Sequence, residues 1–377
     1  MTLPVSGPAV DTSGVFILDT GAGYLALDEA FAKAIGYRAG ASGDATIRFL
    51  GEPLPKLGLG TLTREQIEPV LALDLTDVRA ATDRPVVGLL GVDLFRDDAI
   101  VIDDDQGELL LVRGGERIAS ADPIVRSQAR LADVLGSDAQ PMRYERIGDG
   151  KIALRATIPG ARDTLLLILD TGATKTVLFE RWLAKVGNPE REWHALKGLR
   201  APTLYGDVPL RLVRVPRLSL LGGTRPLTVD RMDAGVIQGG LAEALNRALD
   251  RDIAGLLGFS FTRRFRLAID FRERVLWWSP RSVGTDHREF EHSSVGLQLK
   301  RDTKGIRVVS VASGSPAARA GIRAGDLIRA LDGTSVDALS MDRVGMRLEG
   351  RPGTTVHLTL TRGHRTYERT VTRVRLL

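Results

Sequence analysis

Short hydrophobic runs, broken at regular intervals by Gly, Pro and Asp, dominate the chain, and two of them are near copies. One ends in Ile17-Leu18 and the other in Ile168-Leu169, and each is too short and too uniformly apolar to be a surface helix. Each predicts a buried strand that delivers a carboxylate to a tight turn: Asp19-Thr20-Gly21-Ala22-Gly23 in one case, Asp170-Thr171-Gly172-Ala173-Thr174 in the other. Superposing the two aspartates without a gap puts Leu27 on Leu178, Phe31 on Trp182, Ile35 on Val186 and Gly36 on Gly187. Both copies therefore read as strand, turn, short amphipathic helix and a terminating Gly.

Further along, Gly88-Leu89-Leu90-Gly91 and Gly255-Leu256-Leu257-Gly258 each lead, after the same interval, into a strand ending in Asp103 or Asp270. Two long copies describe a pseudo-twofold pair of lobes, since a solenoid would need more and shorter repeats. The remaining pattern divides the chain into a lobe at 1–112, a polar connector at 113–141, a second lobe at 142–280, a linker at 281–294 and a third unit at 295–377. In lobe one, segments 46–49 and 70–73 predict strands. The connector holds a predicted helix over Ile124 to Leu135. In lobe two, Ile152 to Ile158 alternates, turns at Pro159-Gly160 and returns through Thr164 to Leu169, a hairpin whose second strand carries Asp170. Only 18 residues precede Asp19, so the matching hairpin of lobe one is expected to be nearly absent. The third unit predicts strands at 295–299, 306–311 and 355–361, a helix ending at Ala320 and another from Ser340 to Leu348.

Composition narrows the chemistry. The hydrophobic share of 43% and the charged share of 26% are ordinary for a globular chain of 377 residues. Cysteine is absent, which excludes thiol catalysis, disulfides and zinc-thiolate sites. No apolar run reaches the ~20 residues of a membrane span, and the N-terminus lacks a signal-peptide pattern. The net charge of +5 is concentrated in the last unit, where 15 Lys and Arg face 7 Asp and Glu, leaving the first 294 residues net acidic. Attraction to an acidic partner and a solvated basic face both account for it; without aromatic interleaving or a recognition motif, no nucleic-acid partner is implied. The five histidines, His194, His287, His292, His357 and His364, show no ligand spacing, so no metal or cofactor is expected. Ser315 lies in a Gly-rich turn without the elbow of a serine hydrolase. Asp103-Asp104-Asp105 reads as a hairpin turn, and Trp277-Trp278 as core and edge packing.

Two carboxylates held a few ångströms apart cannot both ionise cheaply and share one proton near neutrality. The ionised member can then take a proton from water while the protonated one polarises a carbonyl. Asp19 and Asp170 are the candidate pair. Gly21 and Gly172 would let backbone approach the carboxylates, and the Thr20 and Thr171 hydroxyls could lock the turns together. Ala22 and Ala173 add no hydroxyl, so the pair should work at milder pH than one lowered by a neighbouring Ser. One Asp-Thr-Gly alone is adequately explained as a strand-ending turn; two in register point to catalysis.

These residues, with Leu89-Leu90-Gly91 and Leu256-Leu257-Gly258 as the paired hydrophobic-hydrophobic-Gly elements, resemble the retropepsin-like aspartic proteases, bacterial members of which carry a PDZ domain after the protease lobes. The resemblance implies a mainly β, pseudo-dimeric protease in one monomeric chain, an Asp dyad that activates water, and an extended or unfolded polypeptide substrate under flap hairpins. By position the flaps fall at 38–62 and about 199–212. It also suggests the periplasm or cell envelope, against a cytoplasmic location if no leader is missing.

The third unit resembles a PDZ domain through Gly314-Ser315-Pro316-Ala317-Ala318-Arg319-Ala320-Gly321 and Ala324-Gly325-Asp326. That resemblance places Val295, Gly296, Leu297 and Gln298 at the carboxylate-binding loop, with Val344 and Leu348 on the flanking helix, for a peptide C-terminus that adds as a strand. A groove filled by a segment of the same chain is the alternative there. For the whole chain, the rival to an endopeptidase is a non-catalytic peptide-binding or adaptor protein.

Overall fold

Strand Asp11–Leu18 carries Asp19 to the middle of lobe one, lying between Val86–Leu90, a segment that the repeat singled out, and Thr2–Ser6. The computed structural model describes residues 1–38, 48–59, 62–65, 69–114, 120–203, 206–281 and 293–377. Strand Val86–Leu90, the Gly-Leu-Leu-Gly segment, lies parallel to Asp11–Leu18 with Ile17 opposite Leu89 and Leu18 opposite Leu90, and antiparallel to Ala26–Asp28. Lobe two repeats this arrangement: Gly255–Leu257 lies parallel to Leu165–Leu169, with Ile168 opposite Leu256 and Leu169 opposite Leu257, and antiparallel to Thr176–Phe179. Each set is the centre of an eight-stranded sheet.

After each aspartate the chain forms a short strand and a six-residue helix, Glu29–Ala34 in lobe one and Glu180–Lys185 in lobe two. The helices end just before Gly36, with φ +100°, and Gly187, with φ +107°. That left-handed geometry is what required glycine at both positions. Trp182, Ile35 and Val186 are buried as the repeat predicts, and Phe31 packs on the same core.

Three expectations need correction. The lobe-one hairpin is present: Thr2–Ser6 pairs with Asp11–Leu18 from Thr2 opposite Val15 to Ser6 opposite Asp11. A tight turn needs few residues, so 18 suffice. The connector helix is shorter than expected, Pro123–Arg130, capped by Asp122 and followed by turns. Two helices without a clear sequence pattern also appear, Thr76–Thr82 and Gly240–Leu249. The first lacks a side-chain cap of its own; the buried carboxylate of Asp28 compensates, accepting from the Leu75 amide at 3.1 Å and from Arg79 at 2.7 Å.

The lobes are joined by a five-stranded sheet in which Ala99–Asp103 pairs with Phe265–Asp270, Ile100 opposite Ile269. Phe95 stacks on Phe271 at 5.7 Å across the same junction. The Asp103–Asp105 segment turns between Ala99–Asp103 and Glu108–Val112, with Asp103 also held by Arg266 at 2.8 Å. On opposite faces of this sheet, Trp277 donates its indole N–H to Ser127 at 2.9 Å and Trp278 packs edge-on against Phe261 and Phe265.

The last part of the chain forms a six-stranded sheet with its own core, which includes Val295, Val344 and Leu348. Helix Met341–Leu348 is capped by Ser340 and helix Pro316–Arg319 by Ser315. Strand Leu297–Asp302 ends that sheet's strand order, and Arg365–Thr372 adds a strand that the sequence pattern left unassigned. Most of the 281–294 linker lies outside the described residues, as do His287 and His292. No helix among the described residues is long and apolar enough to cross a membrane.

Because Trp278 is fully buried among aromatic rings, Trp278→Ala should lower the unfolding free energy by about 3–5 kcal/mol. Urea unfolding followed by circular dichroism measures it, and a loss below about 1 kcal/mol would contradict this packing.

Candidate active site

The two strands that end in aspartate converge where the lobes meet. Thr20 and Thr171, 151 residues apart in sequence, exchange hydrogen bonds across the pseudo-twofold axis. The Thr20 hydroxyl donates to the Leu169 carbonyl at 2.8 Å and accepts from the Thr171 amide at 3.1 Å. Reciprocally, the Thr171 hydroxyl donates to the Leu18 carbonyl at 2.8 Å and accepts from the Thr20 amide at 3.1 Å. Thr20 is fully buried, so none of its polar atoms could be left unpaired cheaply.

This grip places each glycine against the opposite lobe's carboxylate. A Cβ on Gly21 would lie 2.8 Å from Asp170 Cγ, and one on Gly172 would lie 3.0 Å from Asp19 Cγ. Neither glycine has positive φ; close approach of the partner carboxylate, not turn geometry, excludes a side chain. The amides of Gly21 and Gly172 donate to the Oδ1 of their own lobe's aspartate at 2.9 Å each, and Ala173 adds a second donor to Asp170 at 3.0 Å. Asp19 and Asp170 are also hydrogen-bonded to one another. The strand below holds each backbone: the Asp19 amide donates to Leu90 O and the Asp170 amide to Leu257 O, both at 3.0 Å.

Burial pushes Asp19 above the ordinary carboxyl range, against the Gly21 amide, the hydrogen bond from Asp170, the Ala22 amide and the charge of Lys151. Asp170 is raised to about 7, first by burial and then by the negative charge of Asp19. The hydrogen bond between them and the charge of one on the other make the two carboxyls a single coupled pair, which holds a shared proton above the ordinary carboxyl range.

Several residues around the pair carry no motif. Asp93 and Ser260 occupy matching positions after the Gly-Leu-Leu-Gly segments: Asp93 accepts from the Leu25 amide and Ser260 from the Thr176 amide at 2.9 Å. Burial raises Asp93 to about 6. Asp149 sits where a Cβ on Gly23 would be, at 2.0 Å, and is paired with Lys151 at 2.5 Å. The one hint in the sequence is Gly23 itself, which departs from the repeat because its counterpart is Thr174. The flap interval of lobe one lies partly outside the described residues. In lobe two the interval falls on the hairpin Ala195–Thr203 and Gly206–Leu220, whose tip is likewise outside them.

The groove residues are distributed less simply. Val295 and Val344 are wholly buried in the core of the last unit, and Leu348 is 4% exposed. Gly296, with φ +86°, has no room for a side chain beside Ser315 Cβ at 2.3 Å. Leu297 packs against that core. The Gln298 Oε1 accepts from the Arg200 backbone of lobe two at 3.1 Å and from Ser310 Oγ of its own sheet at 2.6 Å. Among the described residues no group of three His, Asp or Glu side chains is placed to hold a metal.

Residues 293–372 match a family model described as PDZ domain, and residues 154–261, which include Asp170, match one described as aspartyl protease. The chain is 38% identical over 69 residues to a "Probable CtpA-like serine protease" of Staphylococcus haemolyticus, covering 18% of this chain and 14% of that one. It is 39% identical over 90 residues to "Carboxyl-terminal-processing peptidase 2, chloroplastic" of Arabidopsis thaliana, covering 22% and 18%. Among solved structures it is similar to a "Photosystem II D1 C-terminal processing protease", with 35% identity, TM-score 0.21, and coverage of 22% of this chain and 23% of that one. The chain thus spans less than a fifth of the length of these two curated relatives. The chain carries a PDZ domain, and the relatives named here are peptidases.

Thr20→Val should destabilise by about 1–3 kcal/mol through the unpaired Leu169 carbonyl and Thr171 amide, while Thr20→Ser should restore most of the loss. In a double-mutant cycle with Thr171→Val the effects should fall short of additive, because one network is broken twice. Strict additivity in denaturant titrations would mean that the two threonines do not share a network.

Proposed function

We propose that the protein is a peptide hydrolase of the aspartic type, with lobes at 1–112 and 142–280, a connector at 113–141, a linker at 281–294 and the PDZ domain at 295–377. The observation that carries this reading is the meeting of Asp19 and Asp170, hydrogen-bonded to each other, with one of them raised to about 7. Such a pair holds one proton at neutral pH, which is the state that acid-base hydrolysis needs. Gly172 is exposed beside the pair, so a substrate can reach it.

In the proposed reaction Asp19 is the base and Asp170 the acid. A water oxygen attacks the peptide carbonyl carbon and gives a proton to Asp19, while Asp170 gives its proton to the carbonyl oxygen. The resulting gem-diol collapses as the C–N bond breaks; the amine nitrogen takes the proton held by Asp19, and a diol hydroxyl returns one to Asp170. Atoms and charges balance, and the pair ends as it began. Thr20, Gly21, Ala22, Thr171, Gly172 and Ala173 position the carboxylates. The PDZ domain binds peptide C-termini or regulates access.

The names of the relatives favour a second reading, a serine-type processing peptidase. Against it stands Ser315, whose hydroxyl caps helix Pro316–Arg319 by accepting the Ala318 amide at 3.2 Å and is 2% exposed. Incubation with unfolded casein separates the readings: cleavage blocked by a statine-type inhibitor and not by a sulfonyl fluoride supports the aspartic pair. The reverse pattern supports the serine type, and no cleavage under any condition leaves a peptide-binding protein.

Asp19→Asn and Asp170→Asn should each lower kcat/KM by about 10³ with the fold retained. Activity regained on mixing the two variants would mean that the pair forms between chains. Activity should fall as pH rises through about 7, where Asp170 loses its proton. Stability should follow the same sign. An unfolded Asp releases its proton near 3.8, whereas the folded pair retains one to about 7, so folding weakens with rising pH across that window. Asp170→Asn should therefore raise the Tm at pH 8 relative to the parent chain, and an unchanged or lower Tm would argue against the raised carboxyl.

A further inference from the structure

Strand Leu297–Asp302 ends its sheet, so one backbone edge has no strand partner in that sheet among the described residues, and helix Met341–Leu348 contributes to the same small core. A peptide joining the PDZ domain would lie along this edge with its carboxylate at Gly296. In the structure the far end of that course is crossed by helix Thr76–Thr82 of lobe one and its C-cap, Asp83. Asp77 pairs with Lys300 on the strand. Asp83 pairs with Arg301 on the strand at 3.2 Å and also accepts the Met341 amide, in the first turn of the opposite wall, at 3.0 Å. One carboxylate thus spans both walls. Arg301 additionally donates to the Leu339 carbonyl, which leads into that helix. The crossing helix is not loosely placed, because Arg79 and Leu75 are held by the buried Asp28.

We propose that helix Thr76–Thr82 closes the PDZ groove in cis, and that the peptide able to displace it carries acidic side chains three to four residues before an apolar C-terminal residue. The inference rests on the reading of the PDZ domain as a peptide site. Strand addition advances peptide and strand residue for residue. A terminus at Gly296 therefore brings those upstream positions beside Lys300 and Arg301, the cations that Asp77 and Asp83 now neutralise. The excess of 15 Lys and Arg over 7 Asp and Glu in this unit favours the same ligand. A groove competent only when the helix has left binds with its affinity reduced by the open fraction.

The test uses the full chain carrying Asp19→Asn, so that the probe is not cut, with and without Asp77→Asn and Asp83→Asn. Asn tolerates the left-handed conformation of position 83, φ +54°, so the helix end is kept. Fluorescence anisotropy is read with three labelled peptides: one acidic upstream with a free carboxylate, the same peptide amidated, and one with Lys in place of the acids. The acidic peptide should bind the Asn variant at least about fivefold more tightly than the parent. The amidated peptide should bind neither, and the Lys peptide should bind both more weakly than the acidic one. Equal affinity of the acidic peptide for parent and variant would overturn the cis closure. Equal binding of acidic and Lys peptides would overturn the charge selection. No binding of either free-carboxylate peptide, with circular dichroism unchanged, would overturn peptide capture by the PDZ domain itself.

Discussion

Two carboxyl groups meet between the lobes because two threonines hold the strands that carry them. The carbonyls of Leu18 and Leu169 receive hydroxyls from the opposite lobe, and the hydroxyls accept the opposite amides. Without that exchange, repulsion and desolvation would drive Asp19 and Asp170 apart or leave both protonated in separate pockets. The small residues around the pair follow from the same constraint. Gly21 and Gly172 lack side chains because each faces the other lobe's carboxylate, not because the turns demand unusual dihedrals.

The grip is supported from behind by a sheet that belongs to both lobes. Ala99–Asp103 and Phe265–Asp270 pair directly, and Arg130 reaches from the connector to Asp270 at 3.0 Å with Arg130 8% and Asp270 0% exposed in their side chains. An ion pair so buried adds little net stability, but losing either partner would leave an uncompensated buried charge. The lobes are not equal, however. Asp28 caps the lobe-one helix and anchors a second helix, whereas the equivalent Phe179 provides no side-chain cap. Lobe two extends the long hairpin Ala195–Thr203 and Gly206–Leu220, and the charge of Lys151 acts to lower Asp19. Chemistry that needs one acid and one base benefits from such inequality.

The PDZ domain touches both lobes through polar contacts rather than a shared core, since its apolar residues form a separate cluster. Gln298 bonds the Arg200 backbone, the Ser313 amide donates to Lys197 O at 2.8 Å, and Asp77 and Asp83 reach the strand and helix from lobe one. Interfaces of this kind open at modest cost. Only two residues, Arg84 and Pro85, separate helix Thr76–Thr82 and its cap Asp83 from strand Val86–Leu90, whose Leu90 carbonyl holds the Asp19 amide. The groove end and the carboxylate pair therefore share one short stretch of backbone.

The sequence alone determined the repeat, and with it the strand-turn-helix units, the paired Gly-Leu-Leu-Gly strands and the identity of the two aspartates, because hydrophobic spacing and glycine placement are local properties. The segments Gly314 to Gly321 and Ala324 to Asp326 made the PDZ domain legible for the same reason. What only the tertiary structure decided were contacts between residues far apart in the chain. These include the reciprocal threonine bonds, the fit of Asp149 against Gly23, the pairing of Asp93 with Leu25 and Ser260 with Thr176, and the helix Thr76–Thr82 that depends on Asp28 for its first amide. Each is a hydrogen bond or close approach between elements whose own patterns give no sign of a partner, so it exists only once the core has fixed their distance.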